Sequence, residues 1–508
     1  MEALVARGRM IAALAVVVAI ALVVRLNGAD VRTLTWDEAY HLRLAMLPGI
    51  RGMLDAILAN PPSDPLYALL LRGWIGIAGT SDVVMRLPSI LAGVATALAT
   101  AWLGLELTRS RSVALAATLL VAIAPYAVEF GQEMTLYSFA TLWVTLALAA
   151  GWRWRRTGRS FDAALAVAFS IVAVYSHYVA APILALALLL SAGPWAGPMK
   201  VSSRGLALAG AAVIVAWLPW LLPMLGSWLG SPYARTSLPQ PTTLTELAGS
   251  VSQYTSGTGA LLEGLRPVQL LGGLAAAVLL VLAWLLGRRS DLRGLRVVLP
   301  LVAVILVVPW LASLITGRWL FVPHLLLPVL PAVAVAAVAG GILTRRTVEG
   351  DARKGRSPER LAATVALAAL FVAQVAGLYV NAQHPPHGDD GVSDLAAVIN
   401  AEGALGEPTF ISPSELQVVA DHYLRYRVIG LPTDVDLTRL YAPYDADAAF
   451  AASVERFDAF THGAPRAWLI YRPERDSGGR LLAALAAKGA LVSRATFEFA
   501  SLYVIELR

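Results

Sequence analysis

The chain has 508 residues, of which 57% are hydrophobic and only 15% charged, and its mean hydropathy is +0.66. These values exclude an ordinary water-soluble globule and describe a polytopic membrane protein. The net charge of +6 is scattered over loops rather than gathered on one face, which excludes a nucleic-acid partner, and the absence of cysteine removes thiol nucleophiles, thiolate metal sites and disulfides.

A helix needs roughly 20 apolar residues to cross the hydrocarbon core, and lipid offers no partner for an unpaired backbone group. Apolar segments of that kind fall near 10–26, 85–106, 112–128, 134–151, 161–177, 179–193, 205–225, 267–287, 297–316, 319–343 and 360–380, the pair at 161–193 being short. Arg7 and Arg9 precede the first segment, and Lys and Arg near short loops are retained on the cytoplasmic side. The N-terminus is therefore expected inside, with the first segment retained as a helix rather than cleaved as a signal. Alternation then puts inside the loops carrying Arg109 and Arg111, Arg153 to Arg159, Lys200 and Arg204, Arg288 to Arg296, and Arg345 to Arg360. The expected location is the plasma membrane.

Two outer loops are too long for plain connectors, at 27–84 and 226–266. The first holds amphipathic runs at Glu38–Leu47 and Met53–Leu58 and an apolar run at Ala68–Ile77, which predict short interfacial helices with Tyr67 and Trp74 as aromatic anchors. In the second, Gly and Pro around Gly226–Pro241 and Gly257–Gly264 predict a mobile lid. An odd number of spans leaves residues 381–508 outside, where composition becomes ordinary. Helical patterns at 393–402, 413–424, 447–461 and 478–488, with strands at 408–412 and 467–471 and a hairpin of 491–499 with 501–507, predict a small extracytoplasmic α/β domain. The expected division is a membrane module, 1–380, and this outer domain.

Directly after the first span comes Thr35-Trp36-Asp37-Glu38-Ala39-Tyr40-His41, an adjacent carboxylate pair at the outer surface. Two readings stand. Thr-x-x-Glu is a capping box, so both acids start a helix and complement its dipole. Alternatively, the helix start is a rigid mount for a reactive carboxylate.

Further motifs follow in order: Pro61-Pro62 with Pro65-Leu66-Tyr67, Arg86-Leu87-Pro88-Ser89, Ala124-Pro125 with Gln132-Glu133 and Leu136-Tyr137, Ser176-His177-Tyr178, and Arg318-Trp319 before a Pro-rich span. In order and topology they resemble the GT-C superfamily of membrane glycosyltransferases. The closest branch is the one that is similar to protein O-mannosyltransferases and lipid A aminoarabinose transferases (glycosyltransferase family 39-like). The resemblance implies a GT-C fold and transfer of a sugar from a polyprenyl phosphate carrier to an acceptor at the outer face. The acceptor is a glycan, a lipid or a protein.

A sugar on a lipid phosphate already has a good leaving group, but an acceptor hydroxyl needs its proton removed, and a positioned carboxylate contributes about 10²–10⁴-fold to such a step. That role fits Asp37, with Glu38 as orienting partner, and single in-line attack inverts the anomeric centre, by analogy with glycosidases. The departing phosphate calls for Arg donors. Arg318 is the first choice, its alternative being a snorkelling Arg beside the interfacial Trp319, and Arg235 and Arg266 in the second loop come next. Gln132, Glu133 and Tyr137, His177 and Tyr178, and Asn60, Asp64 and Tyr67 are the candidates for sugar or acceptor binding, with Glu129 as a fallback for Glu133.

Each candidate has a plainer alternative. Glu133 reads equally as a solvated loop acid, His177 as a hydrogen-bonded belt residue, and Asp64-Pro65 as a turn. The family commonly has Ala-Arg-Met-Tyr after Gln-Glu, where this chain has Met134-Thr135-Leu136-Tyr137 without the Arg. It commonly has His-Pro-Pro-Leu-Tyr, where Asn60 replaces the His and Ser63-Asp64-Pro65 intervenes. The resemblance allows a divalent metal near the donor phosphate, held by Asp37, Glu38, Asp64 and His177, but spacing does not show that these converge, and no cofactor is assigned. The competing functions are a transporter or flippase for a lipid-linked glycan and a catalytically silent assembly protein of the same fold. A transporter would place polar groups near the midplane, whereas these gather at the outer ends of the spans.

Overall fold

The computed structural model of the chain describes residues 2–30, 32–59, 64–197, 199–230, 243–256, 266–289, 291–316, 323–349, 358–383, 391–404, 406–432, 445–473, 476–497 and 500–507. By contact the chain divides into two units. One comprises Met1–Asp30, Leu54–Gly226 and Pro239–Pro386, and the other Val31–Met53, Ser227–Leu238 and His387–Arg508.

The first unit is a polytopic helical membrane module. Among the described residues seven helices are long and apolar enough to cross a membrane: Gly8–Leu26, Asp82–Thr108, Ser203–Leu229, Pro267–Leu286, Leu295–Thr316, Leu327–Arg345 and Pro358–Gln383. Every predicted span coincides with a helix or helix pair, but four differ from a simple crossing. The segment predicted as one span over 112–128 is two helices, Arg111–Ile123 and Pro125–Gln132, bent by 55° at Ala124. Pro125 has no N–H to continue the ladder, so the first helix stops there and Pro125 opens the second. Ala180–Ala192 has only 13 residues, and Ser160–Ser176 has 17, both below the length that crosses unaided. Leu136–Thr157 has the length but carries Arg153, Arg155 and Arg156 in its C-terminal turns.

Several hydroxyls buried in this apolar unit bond to carbonyls of their own helices, where no water is at hand. Thr96 and Thr100 donate to the carbonyls of Ala92 and Thr96, both at 2.8 Å. The helix Asp82–Thr108 ends on Arg109 in the left-handed region, φ 53°, and Ser110 Oγ then caps Arg111–Ile123 by accepting from the Val113 N–H at 3.3 Å. At the same end Glu106 pairs with Arg156 at 2.6 Å, and Arg153 pairs with Asp162 at 2.9 Å. These bridges tie the helices Asp82–Thr108, Leu136–Thr157 and Ser160–Ser176.

The first long loop holds the expected short helices, at Trp36–Met46, Ile50–Ala59 and Pro65–Ala78. In the second, the helix Ser203–Gly230 runs in and Leu244–Ser256 adds another helix. The remainder of that loop, on which the predicted lid falls, lies outside the described residues.

The second unit contains a five-stranded sheet made of β1 (Thr409–Ser412), β2 (Val428–Gly430), β3 (Arg466–Tyr471), β4 (Gly489–Phe497) and β5 (Ala500–Leu507). The order is β2-β1-β3-β5-β4, with β1 parallel to β2 and β3, and the β4–β5 hairpin antiparallel. Alternation along the strands sends side chains to two cores. Ile411, Trp468 and Ile470 pack with Val392, Leu395, Ile399, Val419 and Ala420, while Phe410, Leu469 and Tyr471 pack with Phe457, Leu481 and Leu485. Four strands match the prediction, and the three-residue β2 was not foreseen.

Candidate active site

The acidic pair stands where the capping pattern puts it, at the start of Trp36–Met46. Thr35 is the N-cap. Its Oγ1 accepts from the Glu38 N–H at 3.2 Å, and its own N–H donates to Glu38 Oε2 at 2.9 Å. Both halves of the box are present, and Glu38 is fully buried. Its carboxylate thus serves the cap. Asp37, one residue earlier in the first turn, is only half-buried. Trp36 and Tyr40 stack one turn apart, their ring centroids 5.5 Å apart and nearly parallel. His41 follows, its Nδ1 buried, and burial lowers its pKa to about 4, so the ring is neutral near pH 7.

The segment bearing these residues is seated on the core of the second unit. Ala39 packs among Val392, Leu395, Val419, Ala420 and Leu502, Thr33 Oγ1 and Ser393 Oγ share a hydrogen bond of 2.6 Å, and the Leu34 N–H donates to the Tyr423 hydroxyl at 2.8 Å.

In the membrane unit, several of the other predicted residues meet. Asp64 is buried, and its Oδ2 accepts from the Tyr178 N–H at 2.6 Å. Burial pushes its carboxyl up to about 7 against the lowering effect of that bond. Its Oδ1 has no hydrogen-bond partner among the described residues. The Tyr178 ring meets His177 at 4.7 Å, and Tyr137 lies 5.7 Å from His177. The Val179 N–H donates to His177 Nδ1 at 3.2 Å, so that nitrogen is an acceptor. Tyr67 is tied to the same region: its hydroxyl bonds Ser89 Oγ at 2.9 Å, and Ser89 Oγ donates to the Thr135 carbonyl at 3.1 Å. The Arg86-Leu87-Pro88-Ser89 motif is therefore a set of ties, since Arg86, fully buried, donates to the Ala29 carbonyl at 2.7 Å.

Glu133 is buried at the end of Pro125–Gln132, as is Glu129 within it, so neither is a solvated loop acid. Thr135, in the stretch where the family has its Arg, is itself fully buried, and its hydroxyl has no partner among the described residues. The Gln132 amide N–H groups donate to the Val24 and Asn27 carbonyls at 3.2 and 2.7 Å. That donor end clamps the close of the first helix. Arg318, Arg235 and Asn60 lie outside the described residues, as does the side chain of Arg266, whose backbone opens the helix Arg266–Leu286. Within neither unit do three or more His, Asp or Glu side chains gather as a metal-ligand set, among the described residues. No step is routed through a metal.

Two residues of this region were missed in the sequence. His324, in the short turn of 3₁₀ helix Pro323–Val329, lies 4.8 Å from Tyr137 and 5.6 Å from Phe130. A lone His near the outer end of a span was its only signal. Arg25 is fully buried, and its two terminal nitrogens donate to the carbonyls of Ala21 and Ala122 at 3.1 and 2.9 Å and of Val121 and Ala127 at 3.4 and 3.3 Å. The break at Pro125 strips Val121 of its ladder partner, and the guanidinium fork replaces it. Two glycines make the room: a Cβ at Gly93 or Gly131 would stand 2.6 or 2.8 Å from Arg25 Nε. Arg25 and Gln132 are thus reciprocal, each satisfying backbone of the other's helix.

The helical membrane module with its short additional helices and the α/β sheet unit have the GT-C fold. The chain is similar to the crystal structure of ArnT from Cupriavidus metallidurans bound to undecaprenyl phosphate, with a TM-score of 0.60 at 15% identity over 96% of this chain and 97% of that one. It is also similar to the archaeal oligosaccharyltransferase AglB from Archaeoglobus fulgidus in complex with an inhibitory peptide and a dolichol-phosphate, with a TM-score of 0.54 at 13% identity over 96% of this chain and 74% of that one. No family model and no curated protein matches the sequence.

Proposed function

We propose that the protein is an inverting glycosyltransferase that moves a sugar from a polyprenyl phosphate carrier to an acceptor hydroxyl at the outer face of the plasma membrane. The observation that carries this reading is the placement of Asp37: a half-buried carboxylate in the first turn of a helix whose cap is closed by its buried neighbour Glu38, on a chain with the GT-C fold throughout. The lipid phosphates in the ArnT and AglB structures support the carrier class.

In the proposed step the acceptor oxygen attacks the anomeric carbon as Asp37 takes its proton. The bond from that carbon to the phosphate oxygen breaks, and the polyprenyl phosphate leaves with the electron pair. Attack opposite the leaving group inverts the centre, by analogy with glycosidases. Glu38 fixes the helix start. Arg318, Arg235 and Arg266 remain the proposed donors to the phosphate.

Purified protein in lipid nanodiscs, supplied with radiolabelled undecaprenyl phosphate-linked pentoses and hexoses and a membrane extract as acceptor, tests the reading. Label should pass to acceptor, and Asp37→Asn should slow transfer by about 10²–10⁴-fold while leaving donor binding intact. Full transfer by a folded Asp37→Asn protein would remove Asp37 from the mechanism.

A further inference from the structure

We propose that the C-terminal domain positions the reactive carboxylate: Tyr423 and Ser393 fix the segment from which the Asp37 helix begins. This rests on the reading of Asp37 as the base. Residues 32–35 have no helix or strand of their own to hold them, yet Thr33 and Leu34 are buried. What holds them comes from far along the chain. Ser393 lies 360 residues from Thr33 and Tyr423 lies 389 from Leu34, at 2.6 and 2.8 Å.

These two bonds fall immediately before Thr35, and Thr35 sets the direction of the helix through its cap. Asp37 is two residues further on, so its carboxylate inherits the placement of Leu34. The opposite face of the helix is pinned as well, since Ala39 is buried against Val392, Leu395 and Ala420, and Arg43 exerts an attractive charge on Asp421. Tyr423 is itself held, its carbonyl accepting from Asn400 Nδ2 at 2.8 Å at the end of the helix Gln417–Tyr423. A continuous set of contacts thus runs from Asn400 through Tyr423 and Leu34 to the cap and to Asp37. Neither Tyr423 nor Ser393 is placed to touch substrate in this account. Both are positioning residues.

Tyr423→Phe removes the acceptor of the Leu34 N–H and keeps the ring, and Ser393→Ala removes the partner of Thr33. Each should lower kcat roughly tenfold, and the pair by more, with KM for the lipid-linked donor unchanged, because a displacement of about 1 Å at the reacting group can cost 10²-fold. Hydrogen exchange should speed up in the peptide containing Leu34 and stay slow in β1 and β3. Tyr426→Phe, which removes a hydroxyl bonded at 3.4 Å to the Gly403 carbonyl in the same domain, should keep the parent kcat. In an Asp37→Asn background Tyr423→Phe should add no further loss, since both act through one group. Faster exchange at Leu34 with an unchanged kcat overturns the proposal, and so does an added loss on top of Asp37→Asn. Full transfer by Asp37→Asn overturns the base reading instead, and the exchange measurement separates that failure from a failure of the contacts.

Discussion

Two neighbouring carboxylates with nearly identical chemistry are set to different tasks by what surrounds them. Glu38 closes a cap from a fully buried position, and Asp37 is left half-buried. Asp64 is a third case, in which burial rather than a charged neighbour dominates and raises the carboxyl to about 7. The consequence for stability follows from linkage. From about pH 4 to about pH 7 the native state keeps a proton that the unfolded chain has released, so this group's contribution to stability falls as pH rises through that window and stays low above it. Asp64→Asn cannot ionise, and its side-chain oxygen still accepts from the Tyr178 N–H. The variant should therefore gain on the parent by an amount that grows from pH 5 to pH 8 and reaches a few kcal/mol, read as a rise in melting temperature by tryptophan fluorescence of the protein in lipid. A difference that stays flat from pH 5 to pH 8 would mean that Asp64 is ionised in the native state throughout.

At the scale of elements, the membrane unit is organised around a helix that fails to continue. Pro125 breaks one span, and the freed carbonyls of Val121 and Ala122 are taken up by Arg25, while Gln132 returns the favour to the end of the first helix. Arg25→Lys keeps a charge but loses the fork that reaches four carbonyls, and each buried carbonyl left without a donor costs roughly 1–3 kcal/mol. Gly131→Ala should act at the same place from the other side, because its Cβ would stand 2.8 Å from Arg25 Nε. Both variants should melt earlier, and both should lose transfer activity, since Glu129 and Glu133 sit on the displaced segment. A melting temperature equal to the parent's in Gly131→Ala would show that Arg25 can be moved freely. Little of this was legible beforehand. Apolar length located the span at 112–128 and its Pro was visible, but hydropathy averages over a break, and an Arg at a span end looks the same whether it snorkels to water or turns inward. The capping box, by contrast, was fully legible, because Thr35 and Glu38 interact over three residues and leave a local signature.

For the whole molecule the same rule of range decides what could be foreseen. Alternating strands and amphipathic helices made the α/β domain readable almost element by element, apart from β2, whose three residues are too few to show a period. The seating of residues 33–39 on that domain left no trace in the sequence, since contacts between Leu34 and Tyr423 impose no periodicity on either segment. Orientation in the membrane was read from the distribution of Arg and Lys, and it makes a prediction that concerns the entire chain. The protein contains no cysteine, so a single engineered one reports without background. Met46 is exposed at the end of the Asp37 helix, and Arg204 is exposed at the start of Ser203–Gly230, in a loop expected inside. In intact cells a membrane-impermeant maleimide should label Met46→Cys at once and leave Arg204→Cys unlabelled until the membrane is opened. The reverse pattern would put Asp37 on the cytoplasmic side, where the acceptor and the lipid-linked donor would both have to be sought. Labelling of both positions in sealed cells would mean that the alternation of spans fails somewhere between residues 46 and 204. The short helices Ser160–Ser176 and Ala180–Ala192 are the first places to look, because neither alone has the length to cross.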